Sequence, residues 1–145
     1  MINWPKIPRD LDDRTGMCFG CGRNNPVGMK LDFKWDGAIA TAEFTPSQSY
    51  QGWKGYLHGG IILCLLDEAM GWASSHSGTD CVTAKVDARL RCMARLHEPL
   101  VITGKVVRTS RRLIETEATV SLQDGTIIAD GAGTMFVVRT RKNKS

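Results

Sequence analysis

The sequence lacks any apolar run long enough to cross a lipid bilayer. The longest, Ile61 to Leu66, ends at Asp67 and Glu68, whereas a membrane-spanning helix needs about 20 apolar residues. The first residues also lack the apolar stretch that characterises a secretory signal. We therefore expect a protein without membrane spans or a signal peptide, in the cytoplasm.

The cysteines cannot form a complete disulfide framework within one chain. The chain has five cysteines, and an odd number cannot all pair within one chain. Cys18 and Cys21 form a Cys-x-x-Cys pair, which supplies two zinc ligands, but a structural zinc site usually takes four. No second pair has suitable spacing, and only the fold or a partner chain would bring in His76, His97, Cys81 or Cys92. We expect a turn with two reduced thiols, no metal and no cofactor.

The chain has only a small excess of positive over negative charge. The formal net charge is +4, which suits an anionic ligand but does not by itself imply nucleic acid. Basic and aromatic residues do not interleave in a stripe, so nucleic-acid binding has little support. Residues 139–145 hold four of the cations, and we expect them to form a solvated basic tail.

The chain is predicted to fold as two strands, one helix and about four strands. Apolar and polar residues alternate over several segments, which predicts strands, at 29–35, 38–45, 82–91, 100–109, 113–122 and 126–138. Residues 59–75 are apolar on nearly every side, as in a buried helix. An antiparallel sheet with one helix against it is an α+β fold. The predicted organisation is an N-terminal arm and loop at 1–27, a single domain at 28–138 and a tail at 139–145.

The helix start carries the most informative residues. Gly59 and Gly60 follow His58 at the predicted N-terminus, where backbone N–H groups lack intrahelical partners and attract negative charge. Without side chains, these glycines allow a polarised carbonyl or an oxyanion to approach. Asp67 and Glu68 interrupt the apolar helix, so at least one of them is expected to face a cleft, a partner chain or water.

Structural interpretations of the same residues remain open. The two glycines also suit a tight turn into a helix, and His58 also suits a capping role. Asp67 and Glu68 also suit one wet edge of a helix, since acids with altered pKa values occur in purely structural networks.

The segment resembles the helix start of hotdog-fold acyl-CoA thioesterases, in the branch similar to phenylacetyl-CoA thioesterase. Those proteins open the central helix with His-Gly-Gly and carry an acidic residue nine positions after the His, and the matching residues here are His58, Gly59, Gly60 and Asp67. Further similar segments span most of the domain, at 18–22, 25–31, 83–84, 124–125 and 133–136. The resemblance implies a hotdog fold, a sheet wrapped around one central helix.

The resemblance also implies a mechanism. The Gly59 N–H would polarise the thioester carbonyl, and Asp67 from the partner subunit would activate water or attack the carbonyl itself. Thr83 falls where some relatives position the water, Gln51 falls near an amide that precedes His-Gly-Gly in many relatives, and His58 would orient the loop.

Coenzyme A carries phosphates, so cations are expected at the pocket mouth. Arg108, Arg111 and Arg112 cluster around one predicted turn and are candidates, although an ordinary charged hairpin explains each of them equally well. Hotdog domains extend their sheets by pairing, so we expect a homodimer or a dimer of dimers, that is, a homotetramer.

Two other functions stay open. A hotdog hydroxyacyl-thioester dehydratase would also use a His and an acid, but the His-Phe-Pro-Gly segment expected of it is absent. A non-catalytic acyl-CoA-binding domain would keep the pocket and lose the acid, and Asp67 argues against it. The expected function is therefore hydrolysis of a small or medium acyl or aryl thioester to free acid and CoA.

Overall fold

A computed structural model describes residues 15–141. One helix and six strands follow one another in the order β1, β2, α1, β3, β4, β5, β6. They span Lys34–Trp35 (β1), Ile39–Phe44 (β2), Gly59–His76 (α1), Thr79–Leu90 (β3), Leu100–Thr109 (β4), Leu113–Leu122 (β5) and Ile127–Thr140 (β6). Within residues 15–141, no helix has the length and apolar character that a bilayer crossing requires.

All six strands join one antiparallel sheet in the order β1-β2-β4-β5-β6-β3. The predicted α+β class, with one helix between two strands and four strands, is confirmed. β3 is an edge strand, and within residues 15–141 its ladder is with β6 alone. Its register shifts between Thr83 and Lys85, and such bulges often lie beside functional sites.

Helix α1 lies directly against the sheet because two strands have glycine at the contact. A Cβ atom at Gly104 of β4 would lie 2.3 Å from the carbonyl oxygen of Ala69, and one at Gly133 of β6 would lie 2.4 Å from the Met70 sulfur. Ala69 and Met70 are fully buried there. Glycine inside a strand is typical of such close approach, and it sets the distance between the helix and the sheet.

The first predicted strand is only partly confirmed. Met29, Leu31 and Phe33 are buried and alternate with exposed residues, but the ladder of β1 is limited to Lys34–Trp35. The Leu31 N–H donates to the Gly20 carbonyl at 2.9 Å. The segment alternates like a strand, but this hydrogen bond goes to the preceding loop instead of to a neighbouring strand.

The prediction of a solvated tail from residue 139 was wrong for its first residues. Strand β6 continues to Thr140, and Arg139 and Arg141 both form ion pairs with Asp80 at the start of β3. The last strand was predicted to end at Val138 because its apolar alternation ends there; pairing across the sheet extends it. Residues 142–145, and residues 1–14 of the arm and loop predicted at 1–27, lie outside the described residues.

Replacement of Gly104 by alanine is expected to destabilise the fold by about 1–3 kcal/mol, because the added methyl overpacks the contact with the Ala69 carbonyl. Gly71→Ala is the matched control: a Cβ there would meet nothing within 4 Å, and a helix gains about 0.5–1 kcal/mol when interior glycine becomes alanine. Urea denaturation of both variants measures the difference. Equal stability of the two variants would contradict the close contact.

Candidate active site

His58 is the N-cap of α1. Its backbone is extended, with φ −63° and ψ 133°, and its Nδ1 accepts a hydrogen bond from the Gly60 N–H at 2.8 Å. The imidazole ring thus satisfies one of the N–H groups that have no partner within the first turn of the helix. The geometry makes His58 a helix cap, and its orienting role in a reaction stays a prediction.

The two glycines of the motif differ in what their N–H groups offer. The sequence predicted that both N–H groups would be open to a ligand. The Gly60 N–H is instead bonded to His58, so it is not available. In the described part of the chain, the Gly59 N–H has no backbone partner outside the helix, and the first helical N–H groups have none within it. A Cβ at Gly59 would lie 3.2 Å from Leu90 Cδ1. The absence of a side chain at Gly59 therefore leaves more space beside its N–H group.

Gln51 lies beside His58 and Gly59, and we call these three residues the His58 corner. It lines a surface concavity of about 420 Å³ together with Gly52, Trp53, Leu57, His58 and Gly59. Its Oε1 accepts the Gly55 N–H at 2.9 Å, which anchors the side chain within the loop before the helix. The structure thus brings together Gln51, His58 and Gly59.

Asp67 and Thr83 form a second group. The Thr83 hydroxyl donates to Asp67 Oδ1 at 2.6 Å, linking α1 to edge strand β3. Asp67 is half-buried and Thr83 is exposed. The hydroxyl orients the carboxylate and leaves its second oxygen available for a proton.

Gly59 and Asp67 do not meet within one chain. They are eight residues apart on a helix that rises about 1.5 Å per residue, so their backbones are separated by about 12 Å. A single carbonyl group cannot contact both. A site that uses the Gly59 N–H and an Asp67 carboxylate therefore requires Asp67 from a second copy of the chain.

Glu68 faces away from Asp67, as the helical repeat of about 100° per residue predicts. It lies against Cys18 and Cys21, with the Cys18 thiol 3.7 Å from its Oε1. Burial raises the pKa of the Glu68 carboxyl, and the charge of Asp67 adds to this effect. Burial, with the Glu68 charge second, raises the pKa of the Cys21 thiol to about 12.

Cys64 lies on the same helix as these two carboxylates. Burial raises the pKa of its thiol, and the charges of Asp67 and Glu68 add to the rise. Because the thiolate is the nucleophilic form of cysteine, this environment disfavours Cys64 as a nucleophile.

The three arginines predicted to bind phosphate lie far from His58 in the same chain, at the opposite end of the strands. Arg108 pairs with Glu115 at 3.1 Å, and Arg111 and Arg112 lie in the turn between β4 and β5. That turn adjoins the start of β3, because Leu113 and Val82 both pair with Phe136. The His58 corner lies beyond the opposite end of β3, where the Leu57 N–H donates to the Ala94 carbonyl.

Sequence reasoning missed two cations beside Gln51. Lys54 and Arg95 line a concavity with Gln51 and His97. Lys54 lies in the loop just before His-Gly-Gly, and this position was the signal available in the sequence. Arg95 reaches the same place only through the fold, where Tyr56 and Arg95 form a bridge.

The capping role of His58 predicts a specific pattern of variants. His58→Ala is expected to reduce stability by about 0.5–2 kcal/mol, because the Gly60 N–H loses its acceptor. His58→Asn retains a side-chain oxygen suited to an N-cap and is expected to keep most of the stability and activity. Urea denaturation and a turnover assay of both variants test this. An inactive but stable Asn variant would instead mean that the imidazole itself takes part in the chemistry.

Three solved structures illustrate what the chain is similar to. The smu.793 protein of Streptococcus mutans, bound to acetyl CoA, has 26% identity and a TM-score of 0.73, with 77% of this chain and 91% of that chain covered. A hypothetical thioesterase from Streptococcus pneumoniae with coenzyme A has 23% identity, the same TM-score and the same coverage. The PaaI protein of the Escherichia coli phenylacetic acid degradation operon has 17% identity and a TM-score of 0.72, with 78% and 83% covered.

Variants of the Streptococcus pneumoniae protein are also among the similar structures, one with an aspartate replaced by alanine and one with a threonine replaced by alanine. No protein of curated function matches the chain. The family model of the thioesterase superfamily matches residues 54–129, which is more than half of the 145 residues. The chain therefore belongs to the thioesterase superfamily and has its hotdog fold.

Proposed function

We propose that this protein is an acyl-CoA thioesterase, which hydrolyses a small or medium acyl or aryl thioester to a free acid and CoA. The observation that carries the proposal is the Thr83 hydroxyl bonded to Asp67 at 2.6 Å, in a chain that also offers the Gly59 N–H at a helix N-terminus. The coenzyme A and acetyl CoA bound to two similar structures support this ligand class.

The replaced aspartate and threonine of the Streptococcus pneumoniae variants lie 16 positions apart. Asp67 and Thr83 have the same separation of 16. This shared spacing supports the choice of Asp67 and Thr83 as functional residues in this chain.

In the proposed reaction the Gly59 N–H donates to the thioester carbonyl oxygen and stabilises the negative charge that develops on it. Asp67 of the partner subunit takes a proton from water, and the hydroxide adds to the carbonyl carbon. The C–S bond then breaks, and the departing thiolate takes the proton back from Asp67. Direct attack by the Asp67 carboxylate is the second route, with water cleaving the resulting anhydride.

The proposed site lies between two copies of the chain. Strand β3 is an edge strand of 12 residues, and an unpaired edge is a ready template for a second chain. Exposed apolar side chains lie nearby, with Leu63 at 42%, Leu90 at 50% and Met93 at 59% exposure. Pairing of β3 with its copy would form a homodimer, and two such dimers would form a homotetramer.

Antiparallel pairing of β3 with its copy also gives the predicted arginines a role. The start of one β3 then lies beside the end of the other, so the turn with Arg111 and Arg112 approaches the partner's His58 corner. Together with Lys54 and Arg95 of that partner, these cations would bind the phosphates of coenzyme A.

Asp67→Asn is expected to lower thiol release from a panel of acyl-CoAs by at least about a hundredfold, because the variant keeps the shape but loses the base. Glu43→Gln removes an exposed carboxylate on β2, which β4, β5 and β6 separate from β3; it is the control and is expected to leave turnover unchanged. Turnover that survives Asp67→Asn would move the chemistry elsewhere, with Glu68 next. Tight acyl-CoA binding without hydrolysis by the wild type would favour a binding domain.

Mixing two inactive variants tests whether the site is shared. Gly59→Val blocks the carbonyl site and Asp67→Asn removes the base, so each homodimer is expected to be inactive. Random exchange makes half of the dimers mixed, and each mixed dimer has one intact site of two, so about a quarter of wild-type turnover is expected to return. No recovery in dimers confirmed to have exchanged, or an active monomer in light scattering, would overturn the shared site.

A further inference from the structure

A cluster of metal-ligating side chains lies outside the proposed catalytic groups. It consists of Cys18 and Cys21 from the loop before β1 and Glu68 from α1. One donor atom from each lies within 4.8 Å of the other two, and all three residues are half-buried. The proposed hydrolysis uses none of them, so the cluster needs a separate explanation.

The spacing of the donor atoms suits a tetrahedral zinc ion. Zinc binds cysteine sulfur at about 2.3 Å and carboxylate oxygen at about 2.1 Å, which places the two ligand atoms about 3.6 Å apart at the tetrahedral angle. The Cys18 sulfur and Glu68 Oε1 are 3.7 Å apart. Little movement would be needed for both to bind one ion.

One glycine allows the loop to approach the helix, and a second allows the loop to fold closely on itself. A Cβ at Gly20 would lie 2.2 Å from the Glu68 carboxyl carbon, and one at Gly22 would lie 2.4 Å from the Cys18 nitrogen. Backbone hydrogen bonds, among them Gly22 N–H to the Cys18 carbonyl at 2.8 Å, hold the turn in shape. A turn that served only to cover the helix would not require its Gly20 backbone to contact the Glu68 carboxylate.

Within the described residues 15–141, no cation forms an ion pair with the cluster. The thiols and the Trp72 indole donate hydrogen bonds to the Glu68 carboxylate, but none of these groups carries a positive charge. A divalent cation would stabilise the carboxylate and both thiolates together.

Glu68 adds a third ligand that the sequence did not indicate, so in place of the expected metal-free turn we infer that Cys18, Cys21 and Glu68 bind one zinc ion per chain, with solvent as the fourth ligand. Thiolate ligands select zinc over magnesium or calcium, which prefer oxygen alone. The ion would clamp the loop at 18–22 onto α1 and hold Glu68 on the side of the helix away from the Asp67–Thr83 pair. The inference does not depend on thioesterase activity, because its measurement is metal binding.

The first experiment measures zinc by elemental analysis of the full chain purified under reducing conditions, then titrates the metal-free protein with Co²⁺. About one zinc per chain is expected from three ligands of one chain, with thiolate-to-cobalt charge-transfer absorption after Co²⁺ addition. Cys92→Ser removes an exposed thiol outside the cluster and is the matched control, expected to bind as the wild type does.

Cys18→Ser and Cys21→Ser are each expected to lose the charge-transfer absorption and the zinc. Glu68→Gln keeps both thiols and the side-chain shape, so it is expected to fold, retain the absorption and bind Co²⁺ more weakly. This variant keeps the test decisive if the serine variants do not fold. The inference is overturned if the reduced wild type binds no Co²⁺, if binding persists in a folded double serine variant, or if the two thiols are joined in a disulfide after reducing purification.

Discussion

The contact between helix α1 and the sheet is the constraint on which the other features depend. Gly104 and Gly133 allow the helix backbone to approach the strands, and Ala69 and Met70 fill the space between them. This contact also sets the rotation of the helix about its axis. With Ala69 turned to the sheet, the two carboxylates that precede it lie on the flanks, where each meets a different part of the chain.

The two flanks of the helix have different chemistry. Asp67 meets the Thr83 hydroxyl of an exposed edge strand, whereas Glu68 meets the thiols of a loop that covers the helix. Adjacent residues on a helix point about 100° apart, so the pair separates as a matter of geometry. A carboxylate beside an exposed edge strand suits the proposed catalysis, and a carboxylate packed between thiols suits the proposed metal ion.

Local pattern was enough to predict most of the fold. The bounds of β4 and β5 agree with those predicted, and α1 begins at the predicted Gly59, because alternation and helical periodicity are properties of neighbouring residues. The first and last strands differed. Leu31 bonds to Gly20, and Arg139 pairs with Asp80 far away in the sequence, so no window of neighbouring residues contains the information.

The sequence by itself determined the order of the elements, the helix start at Gly59 and the presence of an acid nine positions after His58. It did so because helix starts and amphipathic patterns are encoded over a few residues. Only the tertiary structure decided which groups come into contact: Thr83 with Asp67, and Glu68 with the Cys-x-x-Cys pair. It also placed Lys54 and Arg95 on one concavity. Contacts between residues far apart in the chain depend on how helix and sheet pack, and that packing is set by the whole domain at once.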